Sequence, residues 1–202
     1  MRPNTKIMPE TASQTAGPYV HIGLAPNAAG FDIYEREAGA VIADPSVPGE
    51  RIRVEGIVWD GNGEPVKDVL LEVWQADAAG RHANADAVPD GFRGWGRIIS
   101  DFDTGIWSFD TIKPGRVGSG APYLSLWIVA RGINIGLNTR MYFGDEAAAN
   151  ASDPVLAMIE DEAHRGTLVA PRSDGDNGGA GGPLYRFDIV LQGDGETVFF
   201  DV

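Results

Sequence analysis

From Arg51 onward the chain alternates: Ile52, Val54, Gly56 and Val58 fall on one phase, and Arg53, Glu55 and Ile57 on the other. This period of two predicts a strand with one face on a core. Asp60-Gly61-Asn62-Gly63 then supplies turn chemistry before the apolar run Val69-Leu70-Leu71-Glu72-Val73-Trp74, which predicts a β-hairpin or meander. Large residues recur on alternate positions at Trp107, Phe109 and Thr111 after Asp103-Thr104-Gly105, and Lys113-Pro114-Gly115 closes that run. The short apolar run from Tyr123 to Ala130 reads as a strand buried on both faces, and Asn138 to Phe143 reads as a further strand. Strand character returns at Tyr185 to Leu191 and at Thr197 to Phe200.

Two regions lack strand periodicity. Residues 1–50 carry Pro3, Pro9, Pro18, Pro26, Pro45 and Pro48 with several glycines, which predicts an extended arm lying against something larger. Residues 173–182 are too polar and glycine-rich to bury anything and read as a mobile surface loop. A helix is predicted near Asp153-Pro154, with Asp153 as N-cap, Pro154 at the first helical position and about two apolar turns after it. Many short strands and one or two short helices predict an all-β, antiparallel β-sandwich forming a single domain over 1–202, with 1–50 as arm and 51–202 as core.

Composition narrows the partners. With 16 Lys+Arg against 29 Asp+Glu, the net charge of −13 repels nucleic acid and anionic membrane surfaces. The absence of cysteine excludes disulfides, thiolate zinc sites and cysteine nucleophiles, and a cytoplasmic location is the simplest expectation. There is no N-terminal apolar signal and no run long enough to span a membrane, so a soluble, unprocessed protein is expected.

Candidate chemistry is sparse. His21, His82 and His164 show no metal-ligand spacing, and each reads as a solvated or hydrogen-bonded surface residue. Gly118-Ser119-Gly120 lacks the context of a nucleophile elbow, and the acids Glu72 and Asp77 read as solvated faces or caps. Arg131, at the end of the run Leu124 to Ala130, is placed to grip a planar carboxylate through two hydrogen bonds, although a surface ion pair is the plainer reading. The residues alone do not identify an activity.

Three stretches resemble the intradiol ring-cleaving dioxygenases: Val58 to Gly63, Leu71 to Asp77 with Gly80-Arg81, and Asp103-Thr104-Gly105 leading to Thr111 through Gly115. The blocks Thr11 to Leu24, Ala130 to Asn134 and Gly195 to Asp201 extend the resemblance, nearly from end to end, to the α chains of that family. The family implies a ferric ion bound by two tyrosines and two histidines. This chain has His82, Val117, Leu124 and Leu126 at the matching positions, so the resemblance implies no metal site here, with Fe(III) held by a partner β chain in a multi-unit αβ assembly. It further implies that Thr15, Gly17, Pro18, Tyr19 and Arg131 line the partner's site, and that protocatechuate and O2 are the substrates, cleaved to 3-carboxy-cis,cis-muconate in the β-ketoadipate pathway. Two alternatives stay open: an iron-less sandwich that binds a small aromatic acid alone, and a hydrolase using carboxylates in a cleft.

Overall fold

A computed structural model of the chain describes residues 12–174 and 181–201. The first eleven residues of the arm and the stretch 175–180 of the glycine-rich loop lie outside the described residues.

The first predicted strand forms as β1 (Arg51–Trp59), and Ile52, Val54, Gly56 and Val58 are its buried positions. It does not form a hairpin with β2 (Leu70–Trp74). β1 pairs antiparallel with β4 (Ile106–Ile112), whereas β2 pairs antiparallel with β3 (Trp95–Ile99) and β5 (Tyr123–Val129). The two apolar runs therefore belong to opposite sheets, and their buried side chains meet across the core rather than lying side by side on one sheet.

Beyond β5, the second sheet continues through β6 (Leu137–Phe143) to β7 (Val169–Ala170). The first sheet is completed by β8 (Arg172–Ser173), β9 (Leu184–Arg186) and β10 (Ile189–Val190). Val54, Val58, Trp107 and Tyr185 from one sheet pack with Leu71, Val73, Leu124, Leu126 and Met141 from the other. The result is a sandwich, the shape that two one-sided sheets adopt to bury their apolar faces.

The long ladders are antiparallel as predicted, but β1 pairs parallel with β9 and β10, and β6 with β7. Between β9 and β10, Phe187 donates its amide to Glu55 O at 2.8 Å, and the Asp188 carboxylate accepts from Ile57 N at 2.9 Å. This irregularity sits against Gly56, where a Cβ would strike the Phe187 carbonyl and the Trp107 ring. β5 is not buried on both faces: Leu124, Leu126 and Ile128 point into the core, while Tyr123, Ser125 and Trp127 are only half-buried. Thr197 to Phe200 forms no strand beyond a single bridge from Phe200 to Asn138.

β3 has no counterpart in the sequence reading, because Gly94, Gly96 and Arg97 interrupt its apolar pattern. Gly96 serves packing: a Cβ there would crowd the Ile42 side chain. The helices also differ from expectation. The arm folds locally into α1 (Pro18–Leu24), α2 (Ala147–Asn150) follows β6, and α3 (Glu162–Gly166) is capped by Asp161, whose carboxylate accepts from His164 N at 3.0 Å. Asp153 is not the N-cap of a two-turn helix: only a 3-10 turn forms, at Leu156–Met158, with Val155 as its N-cap. The Asp153 carboxylate is drawn inward instead, accepting from Ala121 N, Val155 N, Leu156 N and the Tyr142 hydroxyl.

Several residues of the recurring motifs are structural. Gln75, buried at the end of β2, donates to Ile112 O at 2.9 Å and accepts from the Thr111 hydroxyl at 2.7 Å, tying one sheet to the other. The Asp60 carboxylate accepts from Asn62 N and Glu64 N, and the Asp101 carboxylate accepts from Asp103 N and Thr104 N, closing two turns that end in positive-φ glycines, Gly63 and Gly105.

Candidate functional site

The site begins where β5 ends. After Ala130 the chain turns at Arg131-Gly132, with Gly132 at φ +95°, and the turn closes through Ile133 N donating to Ala130 O at 3.1 Å. That conformation favours glycine and leaves the Gly132 amide facing outward. The amide donates to the Thr15 hydroxyl at 2.6 Å, which pins the N-terminal segment to the strand end. Two residues on, Gly17 is extended and Pro18 occupies the first turn of α1, where its missing N–H costs nothing.

α1 and the turn enclose a cavity of about 290 Å³, with Gly17, Pro18, His21, Asp68, Phe102 and Arg131 among its walls. Arg131, Asp68 and Phe102 also line a larger neighbouring cavity of about 870 Å³. Thr15, Gly17, Pro18 and Arg131 thus meet in one corner. Tyr19 lies on α1 but is 85% exposed and is not among the residues lining either cavity. Arg131 makes an ion pair of 3.4 Å with Asp68, but its side chain is 78% exposed. A pair of that length in water contributes about 0–1 kcal/mol and leaves most guanidinium donors free for a planar carboxylate.

His21, read from the sequence as a solvated or hydrogen-bonded surface residue, is neither. It is 8% exposed, its ring meets Phe102 edge-on at 5.8 Å, and its Nε2 is buried with no hydrogen-bond partner. A lone histidine carries no signal of burial. Only a helix starting at Pro18 brings residue 21 round toward the sandwich. An unpaired imidazole nitrogen on a cavity wall offers one donor or acceptor to a ligand.

The four positions matched to a ferric site behave differently. His82 is exposed, and Val117 is half-buried in a loop. Leu124 and Leu126 are 0% and 2% exposed on the inner face of β5. Among the described residues, no three His, Cys, Asp or Glu side chains are grouped to hold a metal. A hard ferric ion needs several anionic or imidazole donors converging on one point. One exposed imidazole with three aliphatic side chains does not fit it, and no step can be routed through a metal bound here.

Around His82 the backbone is held by electrostatics. The buried Asp77 carboxylate accepts from Ala79 N and Arg81 N at 2.9 Å each, and pairs with Arg81 at 2.7 Å. Burial works to raise the Asp77 pKa, but the Arg81 hydrogen bonds, the Ala79 amide and the Arg81 charge outweigh it, leaving it below the ordinary carboxylate value. A second network gathers Lys113, Asp145, Glu146, Tyr185 and Arg172, with Lys113 Nζ at 2.8 Å from Asp145 and 2.7 Å from Glu146. There burial opposes the Asp145 charge, and Lys113 and Tyr185 overcome it. Both networks are satisfied internally and bind loops to sheets. Among the described residues no helix is long and apolar enough to cross a membrane.

A family model described as "Dioxygenase" matches residues 35–193. The chain is 50% identical over 201 residues to the protocatechuate 3,4-dioxygenase alpha chain of Pseudomonas putida, covering 97% of this chain and 98% of that one. It is 39% identical over 159 residues to the protocatechuate 3,4-dioxygenase beta chain of Burkholderia cepacia, covering 72% and 66%. Among solved structures, the dioxygenase domain of a dioxygenase carbohydrate-binding protein fusion from Streptomyces sp. SirexAA-E superposes with a TM-score of 0.56 at 23% identity, over 82% of this chain and 94% of that one. That likeness concerns the fold alone.

Proposed function

The chain belongs to the dioxygenase family, in its intradiol branch and of the α-chain type, and on that premise we propose that it lines a catalytic site whose iron is held by a β chain. In this reading the pair is a protocatechuate 3,4-dioxygenase, an oxidoreductase that adds both atoms of O2 and opens the ring between its hydroxylated carbons to give 3-carboxy-cis,cis-muconate. The observation that carries it is the Thr15 to Gly132 hydrogen bond, which holds Gly17 and Pro18 beside an Arg131 that has spent little of its binding capacity.

The Fe(III) of the β chain supplies the activation of ring and oxygen. The residues here bind, orient and enclose. Arg131 takes the substrate carboxylate through paired N–H donors, which fixes the ring and neutralises the charge farthest from the hydroxyls. Thr15 sets the position of the arm, Gly17 and Pro18 form a wall without bulk, and the exposed Tyr19 hydroxyl faces the partner. Phe31, Ile33 and Tyr34, exposed by 48%, 62% and 56%, extend an apolar margin that suits subunit contact in a multi-unit αβ assembly. A cytoplasmic location goes with this reading.

The test is expression of the chain alone and together with a β chain, followed by iron content, visible tyrosinate-to-iron absorption and protocatechuate-dependent oxygen uptake. The expected result is a coloured, iron-loaded, active pair and a colourless, inactive lone chain. In the pair, Arg131→Ala raises KM for protocatechuate by about 10- to 100-fold, the loss of a charge-assisted contact of roughly 1.5–3 kcal/mol. Iron and activity in the lone chain overturn the reading. Failure to associate, combined with protocatechuate binding by the lone chain, would leave a free-standing binding module instead.

A further inference from the structure

On the outer face of the second sheet, a row of paired residues crosses four strands: Trp95 faces Trp74, Trp74 faces Ser125, and Ser125 faces Arg140. Neighbouring strands are about 4.8 Å apart, so Trp74 and Arg140 stand roughly 10 Å apart with the small Ser125 between them. The dip this leaves opens into a cavity of about 520 Å³, to which Trp127, Met158 and Phe200 also contribute. It shares no residue with the cavities beside Arg131.

The two walls differ in kind. Trp74 is 54% exposed and braced by Trp95, with ring centroids at 6.0 Å. Arg140 is half-buried, its guanidinium 4.2 Å from the Tyr123 ring centroid and 5.9 Å from that of Phe200, so aromatic packing orients it. Among the described residues no carboxylate lies within ion-pair distance of it, and its one hydrogen bond is a 3.4 Å contact to the Tyr142 hydroxyl. That phenol stays neutral, because burial pushes it up to about 12. Two acids line the same cavity: Glu72, from the neighbouring row, is committed to Arg97 at 2.7 Å, and Asp201 makes no ion pair with Arg140. In a chain of net charge −13, a half-buried arginine without an anion is a free binding group.

We propose that this notch is a binding site for a small planar carboxylate, an aromatic or unsaturated acid, with Arg140 receiving the carboxylate and Trp74 the ring face. The charge-assisted fork supplies orientation, and the aromatic wall supplies the apolar area that such pockets use. Ser125 sets the width of the notch.

Calorimetric titration of 4-hydroxybenzoate into the full chain, alone and co-purified with its β chain, tests the site. Arg131→Gln is present throughout, so that the corner beside α1 does not contribute. The expected result in both preparations is a saturable site that weakens at least tenfold in Arg140→Gln and is closed by Ser125→Leu, with no saturation by phenol. Unchanged binding in both variants, or phenol binding as tightly as the acid, overturns the proposal. So does a site present in the lone chain and lost in the pair, because the notch would then be a subunit contact. The lone-chain titration, in which no β-chain iron is present, reads the site independently of whether the pair is an active dioxygenase.

Discussion

The two ends of the chain's hydrogen-bond economy lie on one strand. On the inner side of β5, Leu124, Leu126 and Ile128 are sealed in a core whose neighbouring polar groups, Gln75, Thr111 and Asp153, each have partners inside the chain. At the end of the same strand, Arg131 is largely exposed, His21 holds an unpaired nitrogen, Phe31 shares their cavity, and Tyr19 on the adjoining α1 faces outward. The first region is closed apart from the Trp107 indole N–H, which is buried without a partner. The second leaves an arginine and aromatic side chains exposed, which suits the proposed role beside a partner's site. The difference separates stability from the proposed function: substitutions in the first are expected to act on folding, and those in the second on association and binding.

The sharpest break of this contrast is to place ligand chemistry in the sealed region. Leu124→His with Leu126→His puts two imidazoles among apolar side chains, and unfolding with denaturant is expected to show a loss of several kcal/mol, of order 3–5, without any gain in bound iron. A stable double variant that takes up ferric ion would show the inner face to be a latent metal site.

Next in size is Asp153→Ala, which orphans the Ala121, Val155 and Leu156 amides and the Tyr142 hydroxyl. A loss of about 3 kcal/mol is expected in the same measurement. A value under about 1 kcal/mol would mean that water replaces these bonds and that the region is less closed than it looks.

The acid limb of stability is a smaller effect with a defined sign. The Asp77 pKa lies below its ordinary 3.8 in the folded chain, so its stabilisation is present above about that pH and is lost as pH falls through the lower folded value. Asp77→Asn is expected to flatten the stability curve below about pH 4 and to lower stability at neutral pH. An acid limb identical to that of the unmodified chain would refute the assignment.

The smallest effect on folding belongs to the exposed region. Tyr19→Ala is expected to leave the stability of the lone chain within about 0.5 kcal/mol while weakening association with the β chain, measured by sedimentation. Equal association of the two forms would remove Tyr19 from the interface.

The family motifs were legible because much of what they encode is local. Asp60 through Gly63 closes a turn with its own amides, and Asp103-Thr104-Gly105 lies in a turn closed by the adjacent Asp101, so a few neighbouring residues are sufficient information. Arg131 was legible as a strand-end cation. His21 was not, because its burial depends on α1 packing against Phe102, some 80 residues away in sequence. β3 was missed for a related reason: Gly96 answers to Ile42 rather than to its own strand.

The sequence by itself determined the alternation of β1 and β4, the polar turns, the acidic charge and the family. Each is a property of neighbouring side chains or of their sum. Tertiary structure alone decided that β1 and β2 lie in opposite sheets, that β9 and β10 join parallel to β1, and which face of β5 looks inward. It also decided that Arg140 stands across a notch from Trp74 and, among the described residues, in no ion pair. The physical reason is range: a period of two fixes that side chains alternate, but which side becomes interior depends on a second sheet that the local pattern cannot see.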